Sequence, residues 1–559
     1  MMTEALAYSR LDQAIASFLT ERSDLDDAQQ HDFRQIVLDL SAAQSAGHSC
    51  LPVDAAQQTL LSQSPLVSLS ANTPLILEDG RLYLQRYWQY ESRLVSNIQQ
   101  RIQRVLEKPA QLEELLEKYF PSASPAPVLA ATANDAAEDE VDWQKEAASS
   151  CAQQAFSMIT GGPGTGKTTT VLKILALLQE LHHGKLSIAL AAPTGKAAMR
   201  LQQSLREGKQ HLPALDATLQ AAIPETVSTL HRLLGPIHQS TQFRHHAGKP
   251  LSCDVLVVDE ASMIDLALMS KLVDALHPQA RLILLGDQDQ LASVESGAVL
   301  GDLCASLPNQ TLQLKKTWRF SGPIKALATA VNQQQPRQAW QILQDDAQQV
   351  ANVVEGDPVA YMQEHYQAYF QQIKHSSDPK AALTTFSQFQ VLAALRQGVT
   401  GVEGLNLALE KRLQAQEIAT YRTWYHGRPV MISRNDPALG LFNGDIGLCL
   451  YDAERDQMRV WFEQADGQMR AVMPGRLPAH ETVYAMTIHK SQGSEFPHVM
   501  IVLPEHDNPL LSGELLYTAI TRAKAQVDIA ALPAVFMKTV QRRVQRQSGL
   551  QVKMRKAFL

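Results

Sequence analysis

Gly161-Gly162-Pro163-Gly164-Thr165-Gly166-Lys167-Thr168 fits the pattern G-x-x-x-x-G-K-[ST]. A β-rich apolar run over residues 156–159 precedes it, and a helical run over residues 171–178 follows. In this order of strand, glycine loop and helix, backbone N–H groups converge on phosphate oxygens and the helix N-terminus adds a favourable potential. Lys167 then reaches the outer phosphates, and the Thr168 hydroxyl is placed to hold magnesium. Residue frequencies alone produce the pattern in roughly 1% of chains this long, and the flanking strand and helix lower that further.

Further along the chain, Val255-Leu256-Val257-Val258 is an apolar strand ending in Asp259 and Glu260. The first acid suits a metal ion, and the second suits polarising an attacking water. Arg281 opens another apolar strand that ends in Gly286-Asp287, with Gln290 placed to sense the γ-phosphate or the water. Phosphoryl transfer also needs cations where negative charge develops. Arg319, in Thr317-Trp318-Arg319-Phe320, and Arg522, in the stretch 517–524, are the candidates, although either alone reads as a surface arginine in a salt bridge.

A chain of 559 residues exceeds what one hydrophobic core supports, so several domains are expected. With 45% hydrophobic and 19% charged residues the composition is globular, and a net charge of −7 excludes a global basic field, so any grip on nucleic acid must come from a local groove. The five cysteines, Cys50, Cys151, Cys253, Cys304 and Cys449, never form C-x-x-C pairs, which argues against zinc and against a disulfide framework. Residues 1–12 show no secretory signal and no stretch is long and apolar enough for a bilayer, so a cytoplasmic protein is expected.

Residues 1–120 read as a mainly helical domain. Leu11, Ile15, Phe18 and Leu19, then Phe33, Ile36, Val37 and Leu40, form apolar stripes that default to core, and a hairpin is expected at 74–84 around Glu78-Asp79-Gly80. Proline, alanine, serine and acid between 121 and 141 mark a linker. Residues 142–335 and 336–559 then alternate strands and helices as parallel sheets do, with short β runs at about 427–474 suggesting a small β-barrel insert in the second block. The basic tail, from Lys538 to Lys556, defaults to solvated surface.

The motifs and their order resemble the superfamily 1 DNA helicases: Gly161 to Thr168, Pro193-Thr194-Gly195-Lys196-Ala197-Ala198, Asp259-Glu260-Ala261-Ser262, Gly286 to Gln290, Arg319, Thr487 to Glu495, and Tyr517 to Lys524. The resemblance implies an α/β fold of two RecA-like P-loop NTPase domains with ATP and Mg2+ at their interface, an SH3-like barrel insert, and an ATP-dependent helicase activity. Gln144 falls where the family reads the adenine edge, and Gly493 and Glu495 join the nucleotide set. DNA contacts carry over to Thr194, Lys196, Thr229, His231, Thr487, His489 and Lys490. His231 and His489 lack partners at metal-ligand spacing.

Outside the motor motifs, Gly47-His48-Ser49-Cys50-Leu51, the stretches 81–91 and 292–302, and Arg428 to Asp445 are similar to the RecD family, alpha subunits of the bacterial RecBCD enzyme (exonuclease V), within superfamily 1B. This implies a 5′-to-3′ motor on single-stranded DNA in double-strand break repair and recombination. The motor would act beside a 3′-to-5′ helicase–nuclease subunit (RecB-like) and a scaffold subunit (RecC-like), with residues 1–120 docking on the scaffold. No nuclease constellation is visible here, so nuclease activity is expected from a partner. One departure from many relatives is Leu291-Ala292-Ser293-Val294 after Gln290, which lacks a base-stacking aromatic. A free-standing 5′-to-3′ helicase and a regulatory subunit with weak ATPase are the alternatives.

Overall fold

The computed structural model describes residues 8–69, 72–121, 142–210, 212, 216–293, 295–315, 322–345, 350–376, 378–416, 422–464 and 467–558. Arg319 and nearly all of the expected linker lie outside these residues.

Two parallel sheets form the centre. The first has the strand order Thr311–Gln313, Phe156–Thr160, Arg281–Gly286, Val255–Val258, Ile188–Ala192, Ser228–Thr229, with every neighbour parallel. Strand side chains alternate between faces. Accordingly Val255, Val257, Ile283 and Leu285 enter one core, while Leu256, Val258, Leu282 and Leu284 enter another. Burial on both faces is why these strands read as unbroken apolar runs. The second sheet, Ala351–Val353, Ala523–Ala530, Phe496–Val502, Phe389–Ala393, Ala485–Thr487, is also wholly parallel and divides Val499 and Ile501 from Met500 and Val502 in the same way.

Where a small barrel is expected, the structure has an antiparallel sheet in the order Met469–Val472, Gln457–Glu463, Ile446–Asp452, Arg428–Ile432, His480–Thr482. Among the described residues no ladder joins its first and last strands, so it is an open sheet rather than a closed barrel.

The N-terminal region divides by its packing. Residues up to 84 have their own core around Phe33, Ile36, Val37 and Leu40, together with a four-stranded sheet that contains the expected hairpin Leu75–Glu78 and Arg81–Leu84. The helices Gln85–Ile102 and Leu112–Tyr119 instead lend Leu94, Ile98, Leu115 and Tyr119 to the two cores of the first parallel sheet. Arg101, 1% exposed, donates to the carbonyls of Leu276 and His277 beyond the helix Leu266–Asp274, satisfying groups that would otherwise be orphaned. Tyr87, Trp88 and Tyr90 are half-buried and pack internally.

Two expectations of the sequence are corrected. Leu11 and Phe18 are 66% and 56% exposed, because the helix Arg10–Thr20 buries the side carrying Asp12, Ala16, Leu19 and Thr20. Its polar members are satisfied: Ser41 Oγ donates to Asp12 at 2.6 Å, and Thr20 Oγ1 donates to the Ala16 carbonyl at 2.8 Å. The basic tail is solvated only in part: Lys538, Arg555 and Lys556 are exposed, while Arg542, Arg543 and Lys553 are drawn into ion pairs. The helix Pro533–Gln541 packs in the second sheet's core, and Leu550–Ala557 puts Leu550 and Met554 into a core of the first.

The cysteines are free and four of the five are buried, which pushes the thiol of Cys151 up to about 12. Among the described residues one group of potential metal ligands lies close together, His365, His498 and Asp528. Its carboxylate is already saturated, accepting from Tyr361 (2.7 Å), Asn352 (3.0 Å), Gln526 (3.0 Å) and His498. Burial opposes ionisation of Asp528, yet the hydrogen bonds from His498, Tyr361 and Asn352 prevail and hold its carboxyl below the ordinary range. Its stabilising contribution is therefore complete above the unfolded-chain value of about 4 and is lost as pH falls through the folded value. Asp528→Asn is expected to cost about 2 kcal/mol at pH 7, with the gap to wild type narrowing as pH falls below about 4. Urea midpoints across that range measure it, and a gap independent of pH would refute it.

Candidate functional site

Between the two parallel sheets lies a cleft of about 580 Å³, lined from the first by Gly164, Lys167, Thr168, Asp259, Glu260 and Gln290 and from the second by Glu495 and Arg522. The glycine loop is shaped from behind. Gly161 N–H donates to the Gly286 carbonyl, tying the loop to the neighbouring strand, and a Cβ on Gly161 would stand 2.9 Å from the Leu314 carbonyl oxygen. Gly166, at φ +83, turns the chain into the helix Lys167–Leu181. Lys167 Nζ donates to the Gly161 and Gly162 carbonyls at 2.6 and 3.0 Å, folded back over its own loop.

The acids follow from strand ends. Val255–Val258 delivers Asp259 at its carboxyl end, and Glu260 occupies the left-handed region at φ +52, its N–H donating to Asp259 Oδ1 at 2.8 Å. Loss of water and then the charge of Glu260 push the Asp259 carboxyl up to about 6, with Lys167 and Arg200 pulling it down. Two carboxylates that crowd each other, in the cleft that Thr168 also lines, form a donor set that a divalent cation relieves. The residues fit magnesium.

Asp287, 2% exposed, accepts from Gln290 Nε2 at 3.0 Å and from the Tyr517 hydroxyl at 3.1 Å. Leu291 N–H donates to Thr518 Oγ1, and Gln492 Nε2 donates to the Leu291 carbonyl. Leu291, the first residue of the segment that lacks a stacking aromatic, is thus tied to the second sheet's side of the cleft. Arg522, 2% exposed, donates to the carbonyls of Thr518 and Ser494, which fixes its approach to the cleft.

Arg200 escaped the sequence reading. It stands in the cleft wall, donates to the Gly493 carbonyl at 3.4 Å and pairs with the carboxylate of Glu495 from the other sheet. A signal for it was present: Ala197, Arg200, Leu201, Ser204, Glu207 and Gly208 recur at helical spacing, and this face of Gly195–Lys209 lines the cleft. Gly208 allows the close approach, since a Cβ there would come within 2.7 Å of Leu172. Gln144 sits half-buried in the first turn of the helix Trp143–Gln153 and is not among the cleft-lining residues.

The residues expected on the DNA path fall at the carboxyl ends of edge or near-edge strands. Thr194, Thr229 and Thr487 each follow or end a strand and each caps the next helical turn, accepting from Ala197, Arg232 and Lys490 N–H groups. Lys196 lies against Gly444 and Asp445 of the antiparallel sheet's loop. Desolvation, opposed by Asp445, brings its ammonium down to about 8. His231 is exposed with its ring 5.7 Å from Phe243, and Lys490 pairs with Glu481. His489 lies in the turn Ile488–Ser491 between Thr487 and Lys490.

Comparison with known proteins places these parts in register. Residues 144–296 match the AAA domain family, and residues 482–529 match the UvrD-like helicase C-terminal domain. The chain is 37% identical to the RecBCD enzyme subunit RecD of Haemophilus influenzae over 89% of this chain and 84% of that protein. It is also 37% identical to the RecBCD enzyme subunit RecD of Mycolicibacterium smegmatis, over 90% of this chain and 86% of that protein. The ATP-dependent RecD2 DNA helicase of Deinococcus radiodurans is 34% identical over 66% of this chain and 46% of that protein.

Proposed function

This chain belongs to the family of RecD subunits of the RecBCD enzyme, and from that premise we propose that it is an ATP-dependent helicase moving 5′ to 3′ on single-stranded DNA within a helicase–nuclease assembly. The cleft between two parallel sheets, with Lys167, Asp259, Glu260, Gln290 and Arg522 converging on it, carries the reading. On ATP binding, loop N–H groups and Lys167, released from its own carbonyls, take the phosphates. Glu260 accepts the proton of the attacking water, Gln290 orients that water, and Arg522 with Arg319 meets the charge that develops. Thr168 and Asp259 would hold magnesium, which neutralises and orients the phosphates when bound.

Glu495 and Arg522 reach the cleft from one sheet and Lys167 and Glu260 from the other, so nucleotide occupancy alters the fit between them. Thr194, Lys196, Thr229 and His231 on the first sheet and Thr487, His489 and Lys490 on the second would then grip the phosphate backbone alternately. The antiparallel sheet takes the part of the family's SH3-like insert. The N-terminal module is assigned to docking on a RecC-like scaffold beside a RecB-like motor, supported by Leu11, Phe18 and Leu69, which are exposed on it.

Strand separation by the full chain, alone and with RecB-like and RecC-like subunits, tests the assignment. In an assembly whose RecB-like motor is inactivated, duplexes with a 5′ single-stranded tail are expected to open and those with a 3′ tail are not. Full unwinding by the lone chain would favour a free-standing helicase, and preference for a 3′ tail would overturn the polarity.

A further inference from the structure

The crossing of the C-terminal tail is unexplained by the motor alone. After Pro533–Gln541 the chain is anchored to the second sheet's surroundings by Arg542 on Asp507 and Arg543 on Glu514. Within a few residues it reaches the N-terminal module, where Gln547 N–H donates to His48 Nδ1 at 2.8 Å and Ser49 N–H donates to the Gln547 carbonyl at 2.9 Å. Arg546 lies at that crossing. Its Nη1 donates to the carbonyls of Glu295 (2.6 Å) and Gly297 (3.0 Å), and its Nη2 donates to that of Ser293.

Three carbonyls converge on one planar guanidinium, and two of them, those of Glu295 and Gly297, also accept from Ser293 Oγ at 3.2 and 3.3 Å. The carbonyls lie on the loop that runs on from Gln290 and Leu291. The N-terminal module holds it from the other side: Gly297 N–H donates to the Gly47 carbonyl at 3.0 Å, and Ser296 Oγ donates to that of Gln44 at 3.4 Å. Gly47 has the left-handed φ of +87 that favours glycine, and a Cβ there would stand 3.1 Å from Arg546 Cζ, so the guanidinium would have to give way by a few tenths of an ångström. One guanidinium therefore joins the tail, the N-terminal module and the segment leading to the cleft.

We propose that Arg546 is a positioning residue for ATP hydrolysis, clamping the carbonyls of Ser293, Glu295 and Gly297 against Gly47 so that the placement of Gln290, and with it turnover, depends on how the N-terminal module is seated. The proposal rests on the ATPase reading above. It gives the tail a role in coupling whatever docks on the N-terminal module to the motor.

The test is steady-state ATP hydrolysis by the full chain with single-stranded DNA, alongside thermal melting. Arg546→Ala is expected to lower kcat about tenfold with KM for ATP changed less than about twofold, the signature of a displaced group rather than of lost binding. Arg546→Lys, which cannot span three carbonyls, falls between, and Gly47→Ala lowers kcat with the arginine intact. The double variant Gly47→Ala/Arg546→Ala is expected to be no slower than Arg546→Ala, because both break one contact. Unchanged kcat in folded Arg546→Ala overturns the proposal, as do multiplying effects in the double variant. If Arg546→Ala does not fold, wild-type kcat in both Arg546→Lys and Gly47→Ala overturns it. Normal turnover by Lys167→Gln in the same assay would instead mark failure of the ATPase reading.

Discussion

Lys167→Gln is expected to lower ATP turnover by about 10²–10³-fold and to leave folding intact. The lysine has one chemical task, to put a positive charge at the outer phosphates, and no other described residue stands on the glycine loop to replace it. It donates to carbonyls of its own loop, at 2.6 and 3.0 Å from Nζ. A glutamine amide still donates to one of them, so melting should shift by no more than a surface substitution does, within about 0.5 kcal/mol. Steady-state hydrolysis and thermal melting on the same preparation measure both. Turnover within a factor of a few of wild type would remove the cleft from the mechanism.

Glu260→Gln should cost about 10²–10⁴-fold in kcat while nucleotide still binds. Glutamine keeps the length and the planar end of glutamate but accepts no proton from water, so the loss falls on the chemical step. The backbone at Glu260 has φ +52, and glutamine meets the same torsional cost there as glutamate, so the swap isolates the charge. Asp259, two carboxylates becoming one beside it, keeps its place at the strand end. Equilibrium binding of a fluorescent nucleotide together with single-turnover hydrolysis separates the two effects. Lost binding with an unchanged rate at saturation would assign Glu260 to holding the nucleotide rather than to activating water.

The parts of the cleft that were legible in the sequence share a property: each does its work within a few residues of where it is written. The glycine loop, the strand ending in Asp259 and Glu260, and the strand ending in Gly286-Asp287 need only a parallel sheet to bring their carboxyl ends together. A long apolar run already implies such a sheet. Arg200 was harder because its motif ends at Ala198, and only the helix phase shows that the face continues into the cleft. Arg319, which the sequence singles out, lies outside the described residues.

The amino-acid sequence by itself determined the two parallel sheets, the phosphate loop, the paired acids and the family, because short-range patterns of polarity and glycine encode them. Tertiary structure alone decided which amphipathic faces meet. It turned Leu11 and Phe18 outward because Asp12 and Thr20 found hydrogen bonds on the inner side. It set Lys196 beside Asp445, opened the expected barrel into a sheet, drew Gln85–Ile102 and Leu550–Ala557 into one core, and brought Arg546 to Gly47 and Gly297. The contacts of Lys196 with Asp445 and of Arg546 with Gly297, and the tail's contact with His48, join residues about 250 to 500 positions apart, and no local periodicity specifies them. They are fixed only when the whole chain settles which surfaces leave the fewest buried polar groups unpaired.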